Sequence, residues 1–193
     1  STTMVCCNTR KYHGLLVCPI KEFDNESFVL LSALDETVIQ HDQTFNMGIH
    51  QNQNGIYDPR GHKYIIDFEF EPTPTITYRV GGVVLKKELL MVHNADQILI
   101  RYTLLDAHSP TTLRLRPFLA YRNRHQLSKA NLFVSTDYDQ IDNGIASRLY
   151  SGFPILNIQL DKKNKFESNP DWYYNVEYYE EKVRGYDYLE DLY

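Results

Sequence analysis

The 193-residue sequence contains no G-x-S-x-G nucleophile elbow, no H-E-x-x-H zinc helix, no G-x-x-x-x-G-K-[ST] phosphate loop and no G-x-G-x-x-G fingerprint. Each of these motifs positions a nucleophile, a metal or a phosphate by local backbone geometry, so acyl-transfer, zinc and nucleotide chemistry find no support. Long apolar runs are missing too. The longest, such as Phe28 to Leu31 and Leu89 to Val92, fall far short of the ~20 residues of a membrane span, and no signal peptide is present. No membrane partner is expected. Basic excess is also absent: 20 basic and 25 acidic residues give a net charge of -5. That balance leaves no electrostatic footprint for nucleic acid, and the expected partner is neutral.

Cysteine and histidine are sparse and badly spaced for metal chemistry. The three cysteines, Cys6, Cys7 and Cys18, are odd in number and two are adjacent, which suits neither a disulfide framework nor paired zinc ligands. Reduced thiols in a cytoplasmic protein are the expectation. The seven histidines never fall two or four residues apart, so neither a metal nor a cofactor is expected.

What the sequence holds in quantity is aromatic surface, with fifteen Tyr and nine Phe against one Trp. A tyrosine buries its ring and keeps a polar tip, which suits half-buried sheet faces and sugar-stacking surfaces alike. From Gly14 onward, short β-rich segments alternate with turn signals such as Asn54-Gly55, Pro72-Thr73-Pro74 and Asn143-Gly144. The candidate strands are Leu15 to Cys18, Phe28 to Leu34, Tyr64 to Phe70, Thr75 to Val80, Val83 to Val92, Ile98 to Leu104, Leu113 to Tyr121, Leu132 to Ser135 and Ile155 to Leu160. Gly81-Gly82, between two β-branched runs, predicts a two-residue hairpin. The best helical candidate, Tyr178 to Gly185, is short and polar. The pattern reads as an all-β, antiparallel fold. The length fits one domain, 1–193, and the opening Ser1-Thr2-Thr3 reads as an internal cut from a longer protein.

The densest polar cluster is Asn8-Thr9-Arg10-Lys11-Tyr12-His13, which breaks at Gly14 into the apolar Leu15 to Val17. Arg10, Tyr12 and His13 are residue types that recognise hydroxyls, carboxylates and sugar rings. The plainer reading is a turn with solvated Arg10 and Lys11 and a core His13. Alternation along Thr112 to Arg122 puts Arg114, Arg116 and Arg122 on one face, either solvated and salt-bridged or docked on another domain. Arg122-Asn123-Arg124-His125 just beyond adds a second polar cluster. Asp35-Glu36 and Glu190-Asp191 are tempting carboxylate pairs for glycoside hydrolysis. Neighbours on a strand point to opposite faces, so solvation at strand edges or loops is the expected role.

With these segments laid out, the run Asn8 to Val17 resembles the N-T-R-[RK]-Y-H-G-L-L-V signature of the N-terminal domain of bacterial and archaeal type glycogen debranching enzymes, the amylo-α-1,6-glucosidases. Leu30-Leu31-Ser32-Ala33-Leu34-Asp35-Glu36-Thr37, Tyr57-Asp58-Pro59-Arg60-Gly61 and Leu113 to Arg122 follow in the family's order. The closing run from Trp172 to Leu192, within residues 170–193, resembles the segment leading into that family's catalytic domain. Where the family tends to read R-D-x-H, this chain has Arg122-Asn123-Arg124-His125, which removes a carboxylate. The resemblance implies a galactose-mutarotase-like β-supersandwich that packs on an α/α-toroid glucosidase domain and shapes its cleft. It also implies a cytoplasmic parent enzyme and a branched α-glucan. Arg10, Tyr12 and His13, with Arg122 and His125, would then lie nearest the substrate or the domain interface, and no catalytic residue is expected here. A free-standing carbohydrate-binding module or a pure interaction domain is the alternative.

Overall fold

A computed structural model describes residues 7–193; Cys6 lies outside the described residues. In chain order the strands are β1 (Leu16–Ile20), β2 (Glu26–Gln40), β3 (Gln43–Asn46), β4 (Ile49–Asn52), β5 (Ile56–Arg60), β6 (Ile65–Glu69), β7 (Thr75–Val80), β8 (Val83–Met91), β9 (Ile98–Ala107) and β10 (Thr112–Asn123). After them come β11 (Tyr138–Ile141), β12 (Gly144–Ser147), β13 (Leu156–Gln159), β14 (Tyr173–Glu177), the single α-helix α1 (Tyr179–Val183) and β15 (Leu189–Leu192). All the strand pairings are antiparallel.

The architecture is built around β2. One edge of β2 pairs with β1 and then β3, and the other edge pairs with β10. The sheet β6-β7-β8-β9 contributes Ile76, Tyr78, Val80, Val83 and Leu85 to a core shared with Val38 of β2. The sheet β15-β14-β4-β5 contributes Val176, Tyr178 and Leu192 to a core shared with Val29, Phe118 and Ala120. A third core joins Leu16, Cys18, Phe28, Leu30 and Leu119 to Leu149 and Leu156 beside the sheet β11-β12-β13. The central sheet is thus packed on both faces. That is why Phe28 to Leu31 is a continuous apolar run rather than an alternation. Each fully buried Val, Leu or Phe contributes roughly 1.5–3 kcal/mol.

The Gly81-Gly82 hairpin forms as its sequence predicts: Val80 faces Val83, and both glycines take positive φ, which suits the twist of the flanking strands. The helical candidate becomes the one-turn α1. Leu132 to Ser135 is not a strand. Leu132 and Phe133 stand 99% and 86% exposed, and the run is tied to the rest of the fold where Ser135 N–H donates to the Leu149 carbonyl and Val134 packs against a core.

Two further expectations are corrected. Asp35, Glu36, Glu190 and Asp191 are buried, not solvated. Their faces do diverge as alternation requires: Asp35 meets His50 while Glu36 meets Lys87 and Tyr102. The arginine row is broken as well. The pairing of β10 with β2 slips between Phe118 and Leu119 and again before Arg122, and Tyr121 takes φ 48°. Arg114 and Arg116 therefore stay exposed while Arg122 turns into the interior.

Candidate functional site

The run Asn8 to His13 is held as a corner on β2. Asn8 Nδ2 and the Leu15 N–H both donate to the Ser32 carbonyl at 3.2 Å, and the His13 N–H closes a turn on the Arg10 carbonyl at 3.2 Å. Helix α1 is docked against the same corner, with the Glu180 N–H donating to the Thr9 carbonyl at 3.1 Å. The opening and closing segments of the chain therefore form one surface.

On that surface Arg10 and Glu180, both part-exposed, approach to 3.8 Å. Tyr12 meets the ring of His125 edge-on at a centroid distance of 5.4 Å. Arg124 Nε donates to His125 Nε2 at 3.2 Å, and His125 N–H is held by Asn123 Oδ1 at 2.9 Å. Lys11, only 9% exposed, puts its ammonium 5.6 Å from the Tyr12 ring and 5.5 Å from the Tyr186 ring. Arg184 stacks 5.0 Å from the other ring neighbour, Tyr186.

Burial, and then the Arg10 charge, hold His13 below its usual imidazole range, against the opposing field of Glu181. Glu181 lies fully buried beneath the corner. Arg184 comes within 3.7 Å of it, yet neither carboxylate oxygen has a hydrogen-bond partner among the described residues. The assembled surface offers cations, two tyrosine rings and an imidazole, a set suited to a hydroxyl-rich ligand or to a polar protein face.

Arg122 is elsewhere. Its Nε and Nη2 grip both oxygens of Glu190, and Tyr178 and Ser128 donate to the same carboxylate. Burial would lower the guanidinium, but Glu190 outweighs it and the net shift is upward. Burial, followed by the Glu190 charge, also drives the Tyr178 hydroxyl well above its usual range. Asp191 accepts from the backbone N–H groups of Ala130 and Asn175. This network pins β15 beneath the corner, so Arg122 supports the surface from inside.

Of the residues selected from sequence, then, Arg10, Tyr12, His13 and His125 share the corner and Arg122 does not. Lys11, Glu180, Glu181 and Tyr186 belong to it and were not selected. For Glu180, Glu181 and Tyr186 the signal was the closing aromatic and acidic run, which gave no hint of its distant partner, and Lys11 stood inside the opening run itself. Among the described residues, no group of three or more His, Cys, Asp or Glu side chains is arranged to hold a metal ion. No helix among the described residues is long and apolar enough to cross a membrane.

Comparison with known proteins adds one finding. A family model described as glycogen debranching enzyme N terminal matches residues 1–193. No curated protein and no solved structure matches the chain.

Proposed function

The chain belongs to the glycogen debranching enzyme N-terminal family, and from that premise we propose that it is a non-catalytic domain that packs on the catalytic part of such an enzyme and shapes its cleft. In the parent, hydrolysis of the α-1,6 branch point in glycogen or a related glucan would use two carboxylates, one as general acid and one activating water. Both would come from the catalytic part. The observation that carries this reading is the corner itself: an ordered, part-exposed surface joining Arg10 and Tyr12 to His125 and α1. The buried carboxylates favour a supporting role as well. Asp35, Glu36, Glu177 and Glu190 each engage a basic or polar partner inside the fold, leaving them poorly placed to transfer protons to a sugar. The Cys18 thiol, buried and raised to about 11 by burial and then by Asp96, is an unreactive thiol with no part in chemistry.

A second reading has one observation in its favour. Tyr179 and Tyr186 beside the corner are both 51% exposed and could stack on glucosyl rings directly. The two readings separate on one experiment, Arg10→Ala with His13→Ala in the parent enzyme. A cleft-shaping role predicts slower glucose release from a limit dextrin by the parent, and no glucan binding by the isolated chain. Glucan binding by the isolated chain that is lost in the double variant would establish the second reading. Glucose release by the 193-residue chain alone would overturn the first.

A further inference from the structure

Strand β10 ends its sheet, so beyond β2 it presents an edge. Part of that edge is already taken. Leu119 and Tyr193 exchange both backbone hydrogen bonds, at 2.7 and 3.0 Å, the arrangement of an antiparallel hydrogen-bonded pair. The backbone groups of Leu119 therefore point away from β2. On the near side of the slip at Phe118, the Met47 N–H donates to the Glu36 carbonyl, so Glu36 turns its backbone towards β3 while Asp35 and Thr37 turn theirs towards β10. Their partners Arg116 and Arg114 therefore face β2, which leaves Pro117, Leu115 and Leu113 pointing outward. Pro117, which has no N–H to leave unpaired, occupies one of these outward positions. Among the described residues, nothing pairs with the outward N–H groups of Leu113 and Leu115.

The side chains along this edge are sorted by face. Leu113 packs towards the core that contains Val38 and Leu85. Beside it opens an apolar pocket of about 180 Å³ lined by Val38, Val83, Leu85, Tyr102, Leu104 and Leu113. Leu104 on β9 remains 51% exposed at this opening. On the other face, Arg114 and Arg116 stand exposed with no ion pair within 4.0 Å among the described residues, Arg114 being close enough to Glu167 to help lower its carboxyl. A bare strand edge, an apolar hole on one face and two cations on the other describe the imprint of a missing strand.

We propose that the edge of β10 from Thr112 to Pro117 receives an extended strand of alternating acidic and apolar residues, with carboxylates over Arg114 and Arg116 and an apolar side chain in the pocket. The supplier of the strand is the catalytic part of the parent enzyme, and that step rests on the domain role proposed above. A second copy of this chain is the poorer occupant. Antiparallel pairing of β10 with itself about Leu115 sets Arg114 opposite the Arg116 of the other copy, and like charges directly opposite destabilise a sheet. Charge complementarity selects the acidic strand, and the Leu119–Tyr193 pair shows that the edge already accepts antiparallel partners.

The test is hydrogen–deuterium exchange on the 193-residue chain with a synthetic peptide, acetyl-Glu-Val-Glu-Leu-Glu-Val-amide, and its lysine counterpart. At about ten times its dissociation constant, the acidic peptide should slow the Leu113 and Leu115 amides about tenfold, and the lysine peptide should not. Arg114→Glu with Arg116→Glu, both at exposed positions, should reverse that preference. In the parent enzyme the same two amides should be protected without any peptide. No slowing by either peptide, equal slowing by both, slowing confined to β9, fast exchange of these amides in the parent, or a peptide-free dimer protected at β10 would each overturn the proposal. The peptide arm contains no part of the enzyme. Its failure leaves the domain role intact, and failure of the limit-dextrin experiment leaves peptide binding intact.

Discussion

Replacing Arg122 by methionine measures how the corner is supported. The Glu190 carboxylate is fully buried and accepts from Arg122 Nε and Nη2, the Tyr178 hydroxyl, and the N–H and hydroxyl of Ser128. Methionine fills much of the arginine stem but leaves a buried anion without its cation. Breaking a buried pair in this way costs about 3–5 kcal/mol. For a domain of this size about 2–4 °C of melting temperature goes with each kcal/mol, so the midpoint should fall by roughly 6–20 °C. Urea and thermal unfolding, followed by circular dichroism at neutral pH, read both quantities. A cycle with Glu190→Gln should return a coupling of about 2–3 kcal/mol between the two residues. A loss under about 1 kcal/mol, or additivity of the two single variants within about 0.5 kcal/mol, would refute the claim that this pair holds β15 in place.

Three further outcomes follow from other parts of the fold. A Cβ on Gly48 would sit 2.3 Å from the Asp35 carboxylate carbon, so Gly48→Ala should separate Asp35 from His50 and cost about 3–5 kcal/mol; an unchanged urea midpoint would contradict that packing. The Tyr102 hydroxyl donates to Glu36 Oε1 at 2.5 Å beside the Lys87 ammonium, so Tyr102→Phe should cost about 1–3 kcal/mol by leaving that oxygen with one partner fewer, again read by urea unfolding. His13 takes up its proton below the ordinary 6.5 because burial and Arg10 disfavour the cation. The unfolded chain therefore binds more protons just below pH 6.5, and stability should fall as pH drops through that window and level off below the folded value. His13→Gln should flatten the decline, and an equally steep decline in that variant would show that another group causes it.

The parts of the fold legible in sequence are those whose signals are local. Gly81-Gly82 names its own hairpin, and Phe28 to Leu34 names the strand that becomes the middle of β2. The strands that escaped, such as β4 (Ile-His-Gln-Asn) and β15 (Leu-Glu-Asp-Leu), are polar in sequence and nevertheless largely buried. Burial of polar side chains requires partners, and here the partners come from far along the chain. His50 is satisfied by Asp35 of β2, and Glu190 by Arg122 of β10. Nothing in a short window around His50 or Glu190 announces those partners, so local reading assigns such residues to solvent. Arg122 escaped for a related reason. Strict alternation carries a side chain to a predictable face only while register is kept, and two slips with a left-handed Tyr121 remove that rule before Arg122 is reached.

The corner combines both kinds of information, and this explains why its polar run could be noticed before its purpose could be read. Asn8 to His13 breaks sharply at Gly14, a local signal. What makes the run a surface rather than a solvated turn is α1, which binds the Thr9 carbonyl through the Glu180 N–H and sets Glu180 against Arg10. In turn α1 follows directly from β14 and leads into β15, whose Glu190 is held by Arg122. Arg122 thus acts on the corner without touching it. Loss of Arg122 should loosen β15, then α1, then the Arg10–Glu180 approach, in that order of dependence. Exchange of the Glu180 amide should therefore rise in Arg122→Met, while the Leu85 amide, in the sheet that packs on the opposite face of β2, keeps its protection. Equal loss at both amides would mean that the pair supports the whole sandwich and not this corner in particular.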